Sequence, residues 1–167
     1  MGYHGTYRTP EGFTDMTMFS DGDALTGLLF NGSRDLALQA DASAERELPV
    51  FRTTRRWLDA YFKGQPLDFT PPYRLYDLTP FRKEVLQEVR KIPFGHTATY
   101  GTIARIIAKR QGRSHMSAQA VGGAVGWNPL CLVIPCHRVM GAGNRLTGYG
   151  GGLENKIALL KHEGLSL

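Results

Sequence analysis

Two cysteines, Cys131 and Cys136, carry the most distinctive chemistry in this 167-residue chain, and their settings differ. Cys131 lies inside the apolar run Leu130–Ile134, where a thiol serves as a small hydrophobe. Cys136 follows the rigid Pro135 and precedes His137, Arg138 and Val139, and no Asp or Glu occurs between Glu88 and Glu154. A carboxylate-free, cation-rich neighbourhood favours thiolate over thiol, and the thiolate is the nucleophile. The four residues between the two cysteines match no common zinc spacing, and His4, His96, His115 and His162 show no ligand-like grouping, so neither a metal nor a cofactor is expected. Two cysteines are also too few for a disulfide framework, and reduced thiols are expected.

The elements that must present Cys136 are legible upstream of it. Thr79 as N-cap and Pro80 in the first turn predict a helix with Phe81, Val85, Val89 and Ile92 on its apolar face, stopped by Pro93 and Gly95. A second helix is predicted over Tyr100–Arg110, with Ile103, Ile106 and Ile107 inward and Arg105 and Lys109 outward. A third begins after Ser117, turning Val121 and Val125 inward while Gln119, Gly122, Gly123 and Gly126 line its other face. Glycine costs about 1 kcal/mol relative to Ala in a helix, so a glycine-lined face implies that something must approach closely. Two helices joined by a short polar turn and flanked by Arg105, Lys109, Arg110 and Arg113 suggest a helix-turn-helix with DNA as partner. The alternatives are tight helix packing in a core, or a membrane dimer face from the Gly122–Gly126 spacing, which the short segment and its polar flanks argue against.

The first half predicts a small α+β unit. Apolar runs at Leu25–Phe30 and Leu36–Leu38 around Asn31-Gly32 suggest a hairpin, and Trp57, Leu58, Tyr61 and Phe62 recur at helical spacing before Gly64. Residues 65–76, with Pro66, Pro71 and Pro72, form a candidate linker, which gives an N-terminal α/β domain over 1–78 and a C-terminal DNA-binding domain over 79–167. Charge divides at the same place: residues 1–78 carry 8 Lys/Arg against 11 Asp/Glu, residues 79–167 carry 12 against 4. The basic half implies an anionic partner or a solvated face. No run is apolar enough to span a bilayer and the opening MGYHGTYRTPEG lacks a signal-peptide core, so no membrane partner and a cytoplasmic location are expected.

The second half resembles the methylated-DNA–protein cysteine methyltransferases, also called O6-alkylguanine-DNA alkyltransferases. The resemblance rests on six pieces in order: TPF at Thr79–Phe81, TYG at Thr99–Gly101, AVGGA at Ala120–Ala124, Asn128-Pro129, PCHRV at Pro135–Val139, and GYGGGLENK at Gly148–Lys156. It implies a ribonuclease-H-like N-terminal domain followed by a winged-helix or helix-turn-helix-like domain. It implies, further, direct reversal of DNA damage by a monomer: one irreversible transfer of an alkyl group from O6-alkylguanine in double-stranded DNA to Cys136, with O4-alkylthymine as a second candidate substrate. His137 would reach the sulfur through a water, consistent with the rarity of adjacent side chains pointing at each other, and Glu163 would orient His137. Tyr100 would donate to the guanine N3, and the carbonyls of Cys136 and Val139 would accept from its amine. Tyr149, Gly150 and Gly151 would shape the alkyl pocket, and Asn128 would brace the turn bearing Cys136. The target base would be flipped out of the duplex, since a stacked O6 substituent is out of a nucleophile's reach.

One position departs from the family pattern. Many members carry arginine two residues before the VGG stretch, inserted in place of the flipped base; here Gln119 stands there, without guanidinium charge or stacking plane. Arg113 is a candidate to compensate. The rival functions are a helix-turn-helix regulator whose Cys136 merely packs, which needs a preferred DNA sequence, and a cysteine hydrolase, which needs repeated turnover and an oxyanion site.

Overall fold

A computed structural model of the protein describes residues 2–34 and 36–167, the Leu38 side chain apart. The chain begins with three antiparallel strands, β1 (Gly2–Tyr7), β2 (Met16–Ser20) and β3 (Leu25–Phe30), then a short helix α1 (Leu36–Asp41), a strand β4 (Ser43–Glu45) and helix α2 (Pro49–Phe62). The sheet order is β3-β2-β1-β4, with β4 parallel to β1. Every residue of the central β2 is buried, and β1 lies so close to α2 that a Cβ at Gly5 would meet the Phe51 ring at 2.9 Å.

The hairpin is β2–β3, one turn earlier than expected. Asp21 closes it by accepting from the Asp23 and Ala24 amides at 3.0 and 2.9 Å, and Gly22 takes a φ of 116° that a side chain would resist. The Asn31-Gly32 signal is a turn, but Leu36–Asp41 continues from it as α1 rather than as a strand. An Asn-Gly pair specifies a reversal, and the type of the next element depends on where its apolar side chains find cover.

Residues 80 onward form a helical half: α3 (Pro80–Arg90), a two-residue strand β5 (Ala98–Thr99), α4 (Tyr100–Arg110), α5 (Ala118–Val125), a 3-10 turn at Cys136–Arg138, strand β6 (Val139–Met140) parallel to β5, a second 3-10 turn at Ala142–Asn144, and α6 (Leu153–His162). Thr79, Thr99 and Ser117 cap α3, α4 and α5 through their hydroxyls. Ile103 and Ile107 are buried as their spacing predicts, but Ile106 is 42% exposed, because α4 turns only one stripe towards α3 and α5. No helix among the described residues is long and apolar enough to cross a membrane.

Residues 65–76 are not a free tether. The Leu25 amide donates to the Pro72 carbonyl at 2.8 Å and the Arg74 amide to the Leu25 carbonyl at 3.0 Å, so the segment pairs with the outer edge of β3. Further along that edge, the Leu28 amide donates to Pro129 at 2.8 Å and its carbonyl accepts from Cys131 at 2.9 Å. The outer edge of the N-terminal sheet is thus covered, and it is the rail on which the cysteine-bearing loop is seated.

Candidate active site

The path from Leu28 to Cys136 is short and tightly turned. Asn128, buried, accepts from the Leu130 amide at 3.0 Å and donates to the Leu130 and Ile134 carbonyls at 3.4 and 2.8 Å. Within that brace the Val133 amide returns to the Cys131 carbonyl across Leu132, whose φ is 70°. A buried leucine in that region is strained by roughly 1–3 kcal/mol, and the surrounding packing must hold it there. Pro135 follows with φ −80° and ψ 66°, an inverse γ-turn closed by the Cys136 amide on the Ile134 carbonyl at 2.8 Å. These turns swing Cys131 and Cys136 onto one wall of a pocket of about 670 Å³, shared with Tyr100, Gly122, Gly123 and Tyr149.

The thiol of Cys136 is brought down to about 7, chiefly by the neighbouring Cys131 thiol, with help from Asn128, Tyr149 and the Lys156 ammonium and against the cost of burial. Cys131 is pushed the other way, so it stays a thiol and can donate to the Cys136 thiolate. The Tyr149 hydroxyl is buried with no hydrogen-bond partner, and burial together with the charge of the nearby cysteines raises it. The basic neighbourhood of the sequence therefore acts differently from expectation: Arg138 turns away to Glu163 and to the Ile92 carbonyl, at 2.8 and 2.7 Å, and Lys156 is the cation that matters. Lys156 is fully buried, donating to the Val139 carbonyl at 2.8 Å.

Behind Cys136, the His137 Nε2 lies 2.6 Å from Glu163 Oε2 with both side chains buried. Contacts with His137 and Arg138 outweigh burial and hold the Glu163 carboxyl well below the usual range, so it is an ionised acceptor and Nε2 is the protonated nitrogen. The other nitrogen, Nδ1, is buried with no hydrogen-bond partner, and burial keeps the ring neutral by lowering its proton affinity. Nδ1 thus holds the free lone pair, as a proton acceptor requires. Among the described residues, no group of three or more His, Cys, Asp or Glu could hold a metal.

The remaining predicted residues divide. Tyr100 lines the pocket with its hydroxyl 3.0 Å from Thr147 Oγ1. Gly150 and Gly151 line it too, and Gly151 has an internal reason to be glycine, since a Cβ would meet Phe30 at 2.6 Å and Tyr149 at 2.8 Å. The carbonyls of Cys136 and Val139 are already engaged on one side, by the Val139 amide and by Lys156. On α5, Gly122 lies beside the Tyr100 ring and a Cβ at Gly123 would meet nothing within 4 Å, so nothing in the protein itself demands glycine at 123. Gln119, Arg105, Lys109 and Arg113 are exposed. Arg110 is committed elsewhere, paired with Glu84 at 3.3 Å and with Glu88.

Sequence reasoning left Cys131 as core and gave Lys156 and Tyr61 no role at the site. Lys156 had a signal, its place in the GYGGGLENK piece, whereas the other two sit in apolar patterns that look like packing.

Residues 3–75 match the family described as 6-O-methylguanine DNA methyltransferase, ribonuclease-like domain, and residues 80–165 match its DNA binding domain. The methylated-DNA–protein-cysteine methyltransferase of Haemophilus influenzae is 36% identical over 96% of this chain and 86% of the relative, and that of Methanosarcina acetivorans 35% over 97% and 98%. The crystal structure of Mycobacterium tuberculosis O6-methylguanine methyltransferase superposes with a TM-score of 0.81 at 34% identity, covering 98% of this chain and 93% of that one. A structure of the Mycobacterium tuberculosis protein in complex with DNA gives 0.80 at 33%, covering 96% and 92%. A reactive-cysteine turn seated between a ribonuclease-like sheet and a helix-turn-helix, with both halves matched along nearly their full length, makes this chain a member of the O6-methylguanine DNA methyltransferase family.

Proposed function

We propose that this protein repairs DNA by direct reversal, moving an alkyl group from the O6 atom of a guanine onto Cys136 in a single irreversible step, with O4-alkylthymine as a second substrate. The observation that carries this is the shared pocket: Cys136 and the open glycine face of α5 line the same cavity. A base extruded from DNA lying on α5 would enter directly over the sulfur. The related proteins named as methylated-DNA–protein-cysteine methyltransferases, and the one solved with DNA, support the assignment.

In this mechanism His137 Nδ1 takes the Cys136 proton through a bridging water, and Glu163 holds the Nε2–H tautomer. The thiolate attacks the alkyl carbon, a C–S bond forms, and the C–O6 bond breaks with its electron pair leaving on the guanine. Tyr100 donates to the guanine N3 and offsets that charge, exchanging its bond to Thr147. The free sides of the Cys136 and Val139 carbonyls accept from the amine, and Tyr149, Gly150 and Gly151 wall the alkyl group. Asn128 keeps the sulfur aimed. The thioether product is not hydrolysed by water, so each molecule acts once. Gln119, Gly122 and Gly123 meet the duplex at the extrusion site, and Arg105, Lys109 and Arg113 meet phosphates; Arg110 does not, because Glu84 and Glu88 hold its guanidinium.

In this reading residues 1–78 and 79–167 are two domains of a monomer working in the cytoplasm. The test is intact-mass analysis after incubation with a duplex containing one O6-methylguanine. One added methyl group per chain, mapped to Cys136, is expected; further turnover, or a label on Cys131, would replace this mechanism with another.

A further inference from the structure

The N-terminal half reaches the His137–Glu163 pair through the Tyr61 hydroxyl. Tyr61, near the end of α2, is buried, and its hydroxyl donates to Glu163 Oε2 at 2.6 Å across 102 residues of sequence. That is the same oxygen that His137 Nε2 contacts at 2.6 Å. The phenol is held from several sides: its ring stacks on Trp57 at 6.1 Å and meets Phe62 and Phe94 edge-on at 5.1 and 5.9 Å, and the Tyr61 carbonyl contacts His162 Nε2 at 2.9 Å. The other oxygen, Oε1, accepts from Arg138 Nε at 2.8 Å and the Gly95 amide at 3.1 Å, while Arg138 Nη2 reaches Oε2 at 3.1 Å.

Three donors therefore compete for Oε2, and each weakens the oxygen's hold on the others. A carboxylate with many donors is a poorer acceptor for any one of them, and the imidazole hanging from it is more easily kept neutral. We propose that Tyr61 is a positioning residue for the reaction: by occupying Glu163 Oε2 it fixes the direction of the His137 ring and limits how strongly Glu163 stabilises the protonated imidazole. The N-terminal half then takes part in the chemistry, beyond supplying the sheet edge on which the cysteine-bearing loop is seated. This rests on the proposed role of His137 as the base for Cys136.

The charged groups facing the His137 ring are Glu163, Arg138 and Lys156, with the Cys136 thiol next in the chain; His162, on α6, faces Tyr61 rather than His137. Tyr61→Phe removes a neutral donor to Glu163, leaves all of these charges in place and keeps the ring in its aromatic cage. Tyr7→Phe is the matched control: Tyr7 donates to Asp59 at 2.8 Å on the same helix α2, away from the site.

Two measurements on the full chain decide the matter. In NMR titrations of labelled histidine, Tyr61→Phe should move the His137 midpoint to higher pH by about 0.5 unit or more, the fraction of a charge-assisted hydrogen bond passed through Glu163, while Tyr7→Phe leaves it in place. In alkylation by free O6-benzylguanine, the acidic limb of the rate should move the same way in Tyr61→Phe alone. An unmoved His137 midpoint, or equal movement in both variants, would overturn the proposal. Absence of any Cys136 alkylation in the wild type would sink the repair assignment instead, and the NMR midpoint would still decide the part played by Tyr61.

Discussion

Around Cys136 the side chains of Asn128, His137, Arg138, Lys156 and Glu163 are all buried, whereas on α4 and α5 the side chains of Arg105, Lys109 and Gln119 stand in solvent. Both regions are polar, and they use polarity in opposite ways. In the buried region low dielectric makes each hydrogen bond and each charge count, so the partners are fixed and the proton affinities are displaced from ordinary values. On the exposed helices the charges are screened and adaptable, which suits phosphates whose positions vary with the DNA bound. Disturbing the first region should therefore produce large, specific losses, and disturbing the second small and graded ones.

The sharpest separation comes from Cys136→Ala. Alkylation should vanish, measured by intact mass, while affinity for an O6-alkylguanine duplex, measured by fluorescence anisotropy, should stay within about twofold, because the proposed contacts lie on α5 and the basic face. A parallel loss of binding would mean that the two regions are not separable.

Glu163→Gln tests the buried network. Removing the charge leaves Arg138 buried without its counter-ion and frees His137, so urea denaturation at neutral pH should show a loss of about 3 kcal/mol or more. The pH dependence has a definite sign. Because the folded protein holds the Glu163 carboxyl below its ordinary value of 4.5, that carboxylate's contribution is fully present above about 4.5 and is lost as pH falls further. The stability gap between wild type and Glu163→Gln should accordingly narrow in acid.

Cys131→Ala removes the leading cause of the low Cys136 value of about 7. The midpoint for alkylation by O6-benzylguanine should rise by on the order of one pH unit, the worth of one hydrogen bond to a charged group. Cys131→Ser, which keeps a donor, should recover part of that shift. Identical profiles for wild type and Cys131→Ala would return Cys131 to the role of a packed hydrophobe.

On the exposed helices the effects should be smaller. Arg105→Ala with Lys109→Ala should weaken binding to every sequence alike and reduce the slope of log affinity against log salt by about 2, one per phosphate contact. Gln119→Arg should tighten duplex binding by only a few fold, since refilling the vacated stack offsets part of a cost of a few kcal/mol. It should leave reaction with free O6-benzylguanine unchanged; equal gains on both substrates would move position 119 from the DNA face to the pocket.

Much of this architecture was legible because it is local. The caps at Thr79, Thr99 and Ser117, the apolar spacing of α2 to α5 and the glycine face of α5 depend on neighbours within a few residues, and the six motif pieces placed Cys136 and its partners along the chain. Local signals failed where the deciding neighbour was remote. Ile106 is exposed because α4 has partners on one side only, and Leu36 enters a helix because β3 takes the loop at Pro129–Cys131 as its neighbour in place of a following strand. The direction of Arg138 towards Glu163, the meeting of Cys131 and Cys136 in one pocket, the burial of Lys156 and the reach of Tyr61 across 102 residues are likewise tertiary facts. The sequence by itself determined which residues could do chemistry and which helices would carry them, since residue type and periodicity are properties of the chain. Only the tertiary structure decided which charge meets which, because desolvation and hydrogen-bond geometry exist only once segments far apart in sequence exclude water from the same few ångströms.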